Sequence, residues 1–282
     1  ELAKVDLLTA MIVHDQNVSP RIIANHGPEE LKRRLVPRFV SGELECSIAW
    51  TEPQAGSDGT AIRTAAVRDG DEYLINGSKI FTTFGDRADM HLVYARFGPS
   101  SGAKGIGTIV VERDRPGLTV RKLEGKVGVR GAAENELFFD NVRVPAANML
   151  IAPGAGLKNT LVLFEKARPM VGLTSVGIAQ AALDKAVAYA KERRQHGKPI
   201  HAIFCCVGGR CEVESAMAKC YATEIAVDVA SKAVQIHGGN GITKDFGVEL
   251  LFRNARMMTI PDGTTEIQKL IIGRALTGLN AF

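Results

Sequence analysis

Over the first 44 positions apolar residues recur at helical spacing, with Leu7, Leu8, Met11 and Ile12 on one face. Gly27-Pro28 interrupts that run, and residues 29–39 follow as a charged amphipathic segment with Pro37 near its end. From about residue 45 to 150 the period shortens. Residues 46–50, 61–67, 73–75, 91–95, 108–112, 118–120 and 136–139 are short β-branched or alternating runs, punctuated by Gly, Asp and Pro, and predict strands. Arg68-Asp69-Gly70-Asp71 predicts a hairpin turn, because Asp-Gly tolerates the positive φ values a tight turn needs. Short strands at such spacing predict a β-barrel or sandwich rather than a parallel sheet. Beyond Gly154 the helical period returns over 157–168, 172–194, 212–234 and 265–276, with Ala-rich faces suited to close packing in a bundle. The expected fold class is α+β and multidomain: helices over 1–44, a β-barrel-like domain over 45–153 and a helical bundle over 154–282.

Composition narrows the function. The chain has 282 residues, 45% hydrophobic and 23% charged, which excludes wholesale disorder. No apolar run is long enough to cross a bilayer, so no membrane span is expected. A net charge of +4, scattered along the chain, gives no basis for nucleic-acid binding. Five dispersed cysteines do not read as a disulfide framework and point to a reducing compartment. Cys205, Cys206, Cys211 and Cys220 are too irregularly spaced for a zinc site, so no metal is expected. The first residue is Glu1, with no leader pattern, so the start is read as different from the natural one.

Several segments carry polar groups where chemistry could sit. In Thr51-Glu52-Pro53-Gln54-Ala55-Gly56-Ser57-Asp58 a strand ends in a loop whose amides and Ser57 hydroxyl suit an anion or a cofactor edge; an ordinary polar loop reads the same way. Gly238-Gly239-Asn240-Gly241 follows a helix rather than a strand, so it reads as a helix stop and not as a dinucleotide fingerprint. Asp262-Gly263 is either a turn pair or a loop carboxylate placed as a base. Thr264 is the expected N-cap of the helix behind it, with Glu266 or Gln268 nearby to complete the cap.

Taken in order, six segments resemble the flavin-dependent acyl-CoA dehydrogenases. They are Ala49-Trp50-Thr51-Glu52-Pro53-Gln54-Ala55-Gly56-Ser57-Asp58, Asn76-Gly77-Ser78-Lys79-Ile80-Phe81-Thr82-Thr83, Val142-Arg143-Val144-Pro145, Arg193-Arg194-Gln195-His196-Gly197-Lys198-Pro199-Ile200, Val234-Gln235-Ile236-His237-Gly238-Gly239-Asn240-Gly241 and Asp262-Gly263-Thr264-Thr265-Glu266-Ile267-Gln268. The resemblance implies a partial helical N-terminal domain, a middle β-domain and a C-terminal four-helix bundle, assembled as a tetramer or dimer, with FAD between β-domain and bundle. It implies flavin contacts from Ile48, Ala49, Trp50 and Thr51, from Phe81 and Thr83, and from Thr264 and Glu266. Ser57 matches a position shared by flavin and the pantetheine arm. Arg193, Gln235, Gly238 and Gly239 match the positions that hold the pyrophosphate and adenosine end of FAD on a neighbouring subunit. Arg168 and Arg274 match positions near CoA, and Gly263 lies in the substrate-contacting loop. Asp262 stands at the position of the catalytic base. The implied reaction removes the α-proton of an acyl-CoA thioester and passes the β-hydride to flavin N5. Electrons then go to an electron-transfer flavoprotein, in fatty acid metabolism, in the cytoplasm of a bacterium or the mitochondrial matrix of a eukaryote.

Three departures stand out. The usual base is Glu where this chain has Asp262, which resembles dehydrogenases of cyclic acyl-CoA esters. The alternative base position of other branches falls on Ala167 and is vacant. The N-terminal helical domain looks shortened, and after Ile200 the chain passes almost directly to Glu212, omitting much of two bundle helices. That omission admits a second reading, a non-catalytic relative kept for binding or assembly. A third, an oxidase of the same fold, also tolerates Asp as base.

Overall fold

The computed structural model describes residues 1–192, 194–195, 198–199 and 212–279. In chain order its helices and strands are α1 (Leu2–Val5), α2 (Leu7–His26), α3 (Glu29–Val40), β1 (Cys46–Ala49), β2 (Ala65–Asp69), β3 (Glu72–Thr83), β4 (Met90–Phe97), β5 (Ile106–Glu112), β6 (Leu118–Leu123), β7 (Glu134–Pro145), β8 (Met149–Ile151), α4 (Gly156–Glu192), β9 (Arg194–Gln195), β10 (Lys198–Pro199), α5 (Glu212–His237), α6 (Val248–Met258) and α7 (Thr265–Thr277). The chain divides into two compact units, one of Ile12–Lys126 and Gly131–Leu163, the other of Glu1–Met11, Val127–Arg130 and Phe164–Phe282.

In the first unit, strands run in the order β6-β7-β3-β2-β4-β5-β8, with β1 pairing β4. Pairing is antiparallel except for β1–β4 and β2–β4. The mixed, largely antiparallel sheet followed by helices agrees with the expected fold class. Side chains alternate across a strand, and here both faces are covered. Met90 and Leu92 of β4 and Val110 of β5 pack with Ile22, Ile23, Leu31, Leu35 and Phe39 of α2 and α3. Val93, Ala95, Ile109 and Val111 turn to the other face, against Ile75, Leu137 and Phe139. Burial on both sides is why β4 and β5 read as nearly continuous apolar runs. Leu31, Leu35 and Phe39, spaced by four, are the buried stripe of α3.

The helical unit is built on α5. Its buried positions, Ala216, Lys219, Thr223, Ala226, Ala230, Ala233 and His237, alternate three and four residues apart. Gly172 of α4 approaches this helix: a Cβ there would lie 3.8 Å from the Ala218 carbonyl oxygen and from the Lys219 Cα. Among the described residues no helix is long and apolar enough to cross a membrane.

Some elements differ from the sequence reading. The helical segments expected at 157–168 and 172–194 are one helix, α4, running through Pro169. Proline removes one helical hydrogen bond, but the buried stripe Ala167, Val171, Ser175, Ile178, Ala182, Ala186 continues across it, so packing overrides the local break. The strand expected over 61–67 begins only at Ala65, because Asp58 caps a 3-10 turn over Gly59–Ala61, its Oδ1 accepting from the Thr60 amide at 3.0 Å. β3 is longer than expected and absorbs Asn76-Gly77 through a register shift opposite β7. Helix α6 and strand β8 were not anticipated. The shortened stretch after Ile200 lies outside the described residues.

His91 of β4 is fully buried, its Nδ1 2.7 Å from Ser47 Oγ, and burial, helped by Arg113, draws its pKa down to about 4. The unfolded chain therefore binds a proton between pH 6.5 and 4 that the folded chain does not, and stability falls as pH falls through that window. The expected loss from this one group is roughly 3 kcal/mol. Urea unfolding midpoints should fall more steeply between pH 7 and 4 for the native chain than for His91→Asn; equal slopes would contradict the assignment.

Candidate active site

In the sheet unit, the loop after β1 and the bulged end of β3 meet. The Ile80 amide donates to the Thr51 carbonyl at 2.8 Å. Lys79 Nζ donates to the Trp50 carbonyl at 3.1 Å and to Glu52 Oε1 at 2.7 Å. Glu52 also accepts from the amides of Arg63 (2.6 Å) and Thr64 (2.9 Å) and from Gln54 Nε2 (2.6 Å). The two charged side chains are 0% and 2% exposed. Burial alone would raise the Glu52 carboxyl, but the Lys79 charge and the donated hydrogen bonds hold it below the ordinary carboxylate value. Burial draws Lys79 down to about 8, with Glu52 acting in the opposite sense. This pair ties both ends of the loop 51–64 to β3.

The register between β3 and β7 shifts again between Lys79 and Thr82. Phe81 sits in that irregularity with φ 56°, a left-handed backbone that costs a bulky residue energy. The residue is 61% exposed, an unusual position for a large aromatic. Two residues on, Thr83 Oγ1 donates to Glu134 Oε2 at 3.0 Å, and Lys126 Nζ meets the other oxygen at 3.1 Å. Burial, the largest influence, leaves the Glu134 carboxyl raised despite Lys126 and Thr83. Trp50 packs edge-on against Tyr94 with ring centroids 4.8 Å apart, and a Cβ at Gly59 would overlap its indole. The Trp50–Thr51 backbone is thus tied to β3 at Lys79 and Ile80, just before Phe81 and Thr83 in that strand. Ile48 is half-buried, Ala49 lies wholly in the core, and Ser57 is exposed on the loop.

In the helical unit, α6 ends at Met258 and α7 begins at Thr265. Between them Asp262 (φ 54°) and Gly263 (φ 93°) are both left-handed, and Asp262 is half-buried. A Cβ at Gly263 would lie 2.7 Å from Gln268 Nε2, so glycine serves both φ and space there. Gln268, fully buried, donates to the carbonyls of Asp262 (3.0 Å) and Gly263 (2.9 Å). Lys219 Nζ donates to the carbonyls of Thr259 (3.1 Å) and Gly263 (3.0 Å). Thr265 Oγ1 donates to Glu224 Oε1 at 2.6 Å. Thr264 is the N-cap of α7, as expected, but makes no side-chain cap hydrogen bond, and Gln268 holds the loop carbonyls rather than completing the cap. Glu266 is exposed; hydrogen bonds from its own amide and from Thr264 keep its carboxyl low.

Arg168 is buried on α4, and its Nε has no hydrogen-bond partner among the described residues. Gln235, Gly238 and Gly239 are exposed together at the C-terminal end of α5, with Gly238 at φ 57°. Arg274 is exposed near the end of α7, away from the 259–264 loop. Arg193 lies outside the described residues. Among the described residues no cluster of His, Cys, Asp or Glu is arranged to hold a metal. The sequence assigns no role to Glu52, Lys79 or Lys219, and gives Gln268 only a place beside the cap of α7. The signal for Lys219 was present as a lysine on the Ala-rich stripe of a helix.

Breaking the buried pair should cost about 3–5 kcal/mol, because it leaves one charge uncompensated. Lys79→Met is expected to lower the urea midpoint sharply, and Glu52→Gln/Lys79→Met together to recover most of the loss. A single variant as stable as the native chain would contradict the account.

The family model described as acyl-CoA dehydrogenase, middle domain, matches residues 47–142; that described as acyl-CoA dehydrogenase, C-terminal domain, matches 154–203 and 206–277. The chain is 39% identical to cyclohex-1-ene-1-carbonyl-CoA dehydrogenase of Geobacter metallireducens, over 98% of this chain and 80% of that relative. That alignment spans 305 residues, more than this chain's 282, so the relative has residues without a counterpart here. Butyryl-CoA dehydrogenase from Megasphaera elsdenii superposes with a TM-score of 0.90 at 33% identity, covering 98% of this chain and 79% of that one. A glutaryl-CoA dehydrogenase from Mycobacterium smegmatis, solved in complex with FADH2, superposes with a TM-score of 0.87 at 27% identity, covering 98% and 78%.

Proposed function

Since the chain belongs to the acyl-CoA dehydrogenase family, we propose that it is an FAD-dependent enzyme that removes the α-proton of an acyl-CoA thioester with Asp262 while the β-hydride leaves for the cofactor. The observation that carries the reading is the 259–264 loop: a half-buried carboxylate on left-handed backbone, with carbonyls on either side clamped by Lys219 and Gln268. Thioester α-protons are weak acids, so their removal needs a carboxylate held at the α-carbon. A fixed loop supplies that positioning.

The residues present suit FAD. An exposed aromatic face at Phe81, beside the Trp50–Thr51 backbone and the Thr83 hydroxyl, offers a flat apolar surface with polar groups at its edge. On this reading Ile48, Trp50, Thr51, Ser57, Phe81, Thr83, Thr264 and Glu266 hold the flavin, and Ala49, buried in the core, anchors the end of β1 that carries Trp50 and Thr51. Arg193, Gln235, Gly238 and Gly239 hold the pyrophosphate and adenosine of FAD in a homo-oligomer, a tetramer or dimer. When bound, FAD supplies the hydride acceptor. Ser57, Arg168, Gly263 and Arg274 serve the acyl-CoA, the unpartnered Nε of Arg168 being suited to an anionic or carbonyl group. The division 1–44, 45–153 and 154–282 is retained as the functional one. The electron acceptor is an electron-transfer flavoprotein.

Asp is one methylene shorter than Glu, so the substrate α-carbon must come closer to the loop. A cyclic acyl-CoA ester, whose α-carbon is held in a ring, meets that demand, and the Geobacter relative is named for such a substrate.

Asp262→Asn keeps shape and hydrogen bonding but lacks the carboxylate. It should retain FAD and bind acyl-CoA, yet reduce flavin at least about a hundredfold more slowly in anaerobic stopped flow. Near-normal reduction would mean that another group takes the proton. Phe81→Ala and Thr83→Ala should each weaken flavin retention, read as FAD released on gel filtration; full retention by both would remove that segment from the flavin site.

A further inference from the structure

Lys219 is the anomaly of the helical unit. It occupies the buried stripe of α5 between Ala216 and Thr223, where every other position is small, hydroxylic or aromatic. Its side chain is fully buried, and its ammonium faces two backbone carbonyls, Thr259 at 3.1 Å and Gly263 at 3.0 Å, which flank Asp262. A buried lysine needs a reason, because removing an ammonium from water is costly unless oxygens replace the water. The same helix reaches the far side of the loop through Glu224, which accepts from Thr265.

We propose that Lys219 is a positioning residue for the base: its ammonium, donating to the Thr259 and Gly263 carbonyls, fixes from behind the left-handed loop that carries Asp262. The inference rests on the reading of Asp262 as base. The clamp acts in two ways. Drawing the carbonyls of Thr259 and Gly263 toward α5 restricts the loop backbone on both sides of Asp262, so the carboxylate presents one position to the substrate. A positive charge beside a carboxylate also favours its charged form. The reciprocal effect appears on Lys219: burial, the largest influence, lowers its pKa, and Asp262 is the first of the charges that oppose the fall. The other groups around the ammonium are Cys220 and Glu224 on α5 and Arg168 on α4, with Glu266 and Lys269 of α7 around the neighbouring Cys220.

The test is an isotope-edited infrared titration of carboxyl bands in the FAD-loaded protein, with the Asp262 band identified by its loss in Asp262→Asn. In Lys219→Met the Asp262 midpoint should rise by about one unit, and in Lys219→Arg it should stay near the native value. Anaerobic flavin reduction at saturating acyl-CoA should slow about tenfold or more in the Met variant at pH 7 because the loop loosens, with the acid limb of its pH profile displaced upward by about one unit and the substrate dissociation constant little changed. A purely structural role would lower the unfolding midpoint without moving the Asp262 titration. Should the Met variant not fold, Lys219→Gln keeps a donor for the carbonyls without the charge and carries the same comparison. An unshifted Asp262 midpoint in the neutral variant overturns the proposal. The reading of Asp262 as base fails on a different result, normal flavin reduction by Asp262→Asn.

Discussion

Irregular backbone at a reactive site needs hydrogen-bond partners that helix and sheet do not provide, and in this protein buried charged side chains supply them. In the helical unit the Lys219 ammonium takes the carbonyls of Thr259 and Gly263. In the sheet unit the Glu52 carboxylate takes the amides of Arg63 and Thr64 while Lys79 takes the Trp50 carbonyl. Buried backbone polar groups are almost always satisfied, and a charge-assisted hydrogen bond is stronger than a neutral one. Each arrangement makes one loop conformation much better than its alternatives.

What that rigidity permits is strain. Phe81 and Asp262 both occupy left-handed backbone, which neighbouring structure must enforce. At Phe81 a register shift in β3 turns an exposed aromatic residue outward between half-buried Ile80 and buried Thr82. At Asp262 the carboxylate stands on a loop whose carbonyls face the helix and a buried glutamine. The energetic cost falls on a few residues, and the packing of α5, α6 and α7 around the loop carries it.

The order helix, strand, helix was legible because period 3.6 and period 2 leave different marks, as in Leu31, Leu35 and Phe39 against the alternation of β7. Elements failed where tertiary packing overruled a local signal. Pro169 read as a helix break, yet the stripe from Ala167 to Ala186 keeps α4 whole. The strand expected over 73–75 runs on through Asn76-Gly77 by a register shift. The segments of the candidate site were legible as motifs: the Trp50–Thr51 backbone lies against β3 at Lys79 and Ile80, and Asp262-Gly263 takes left-handed backbone. Their supports were not, because Glu52 with Lys79, and Lys219 with the 259–264 loop, are separated by 27 and about 40 positions along the chain. Contacts of that kind are set by the fold, and no local period announces them.

Dehydrogenation of an acyl-CoA would leave the bound flavin reduced and colourless. Anaerobic titration of the FAD-loaded protein with straight, branched and cyclic acyl-CoA esters, followed by flavin absorbance, tests it most directly. The account predicts bleaching of the flavin by at least one ester, strongest with a cyclohexane- or cyclohexene-carbonyl-CoA, and appearance of the α,β-unsaturated product in equal amount. A protein that binds FAD and acyl-CoA yet shows no bleaching with any ester would contradict it.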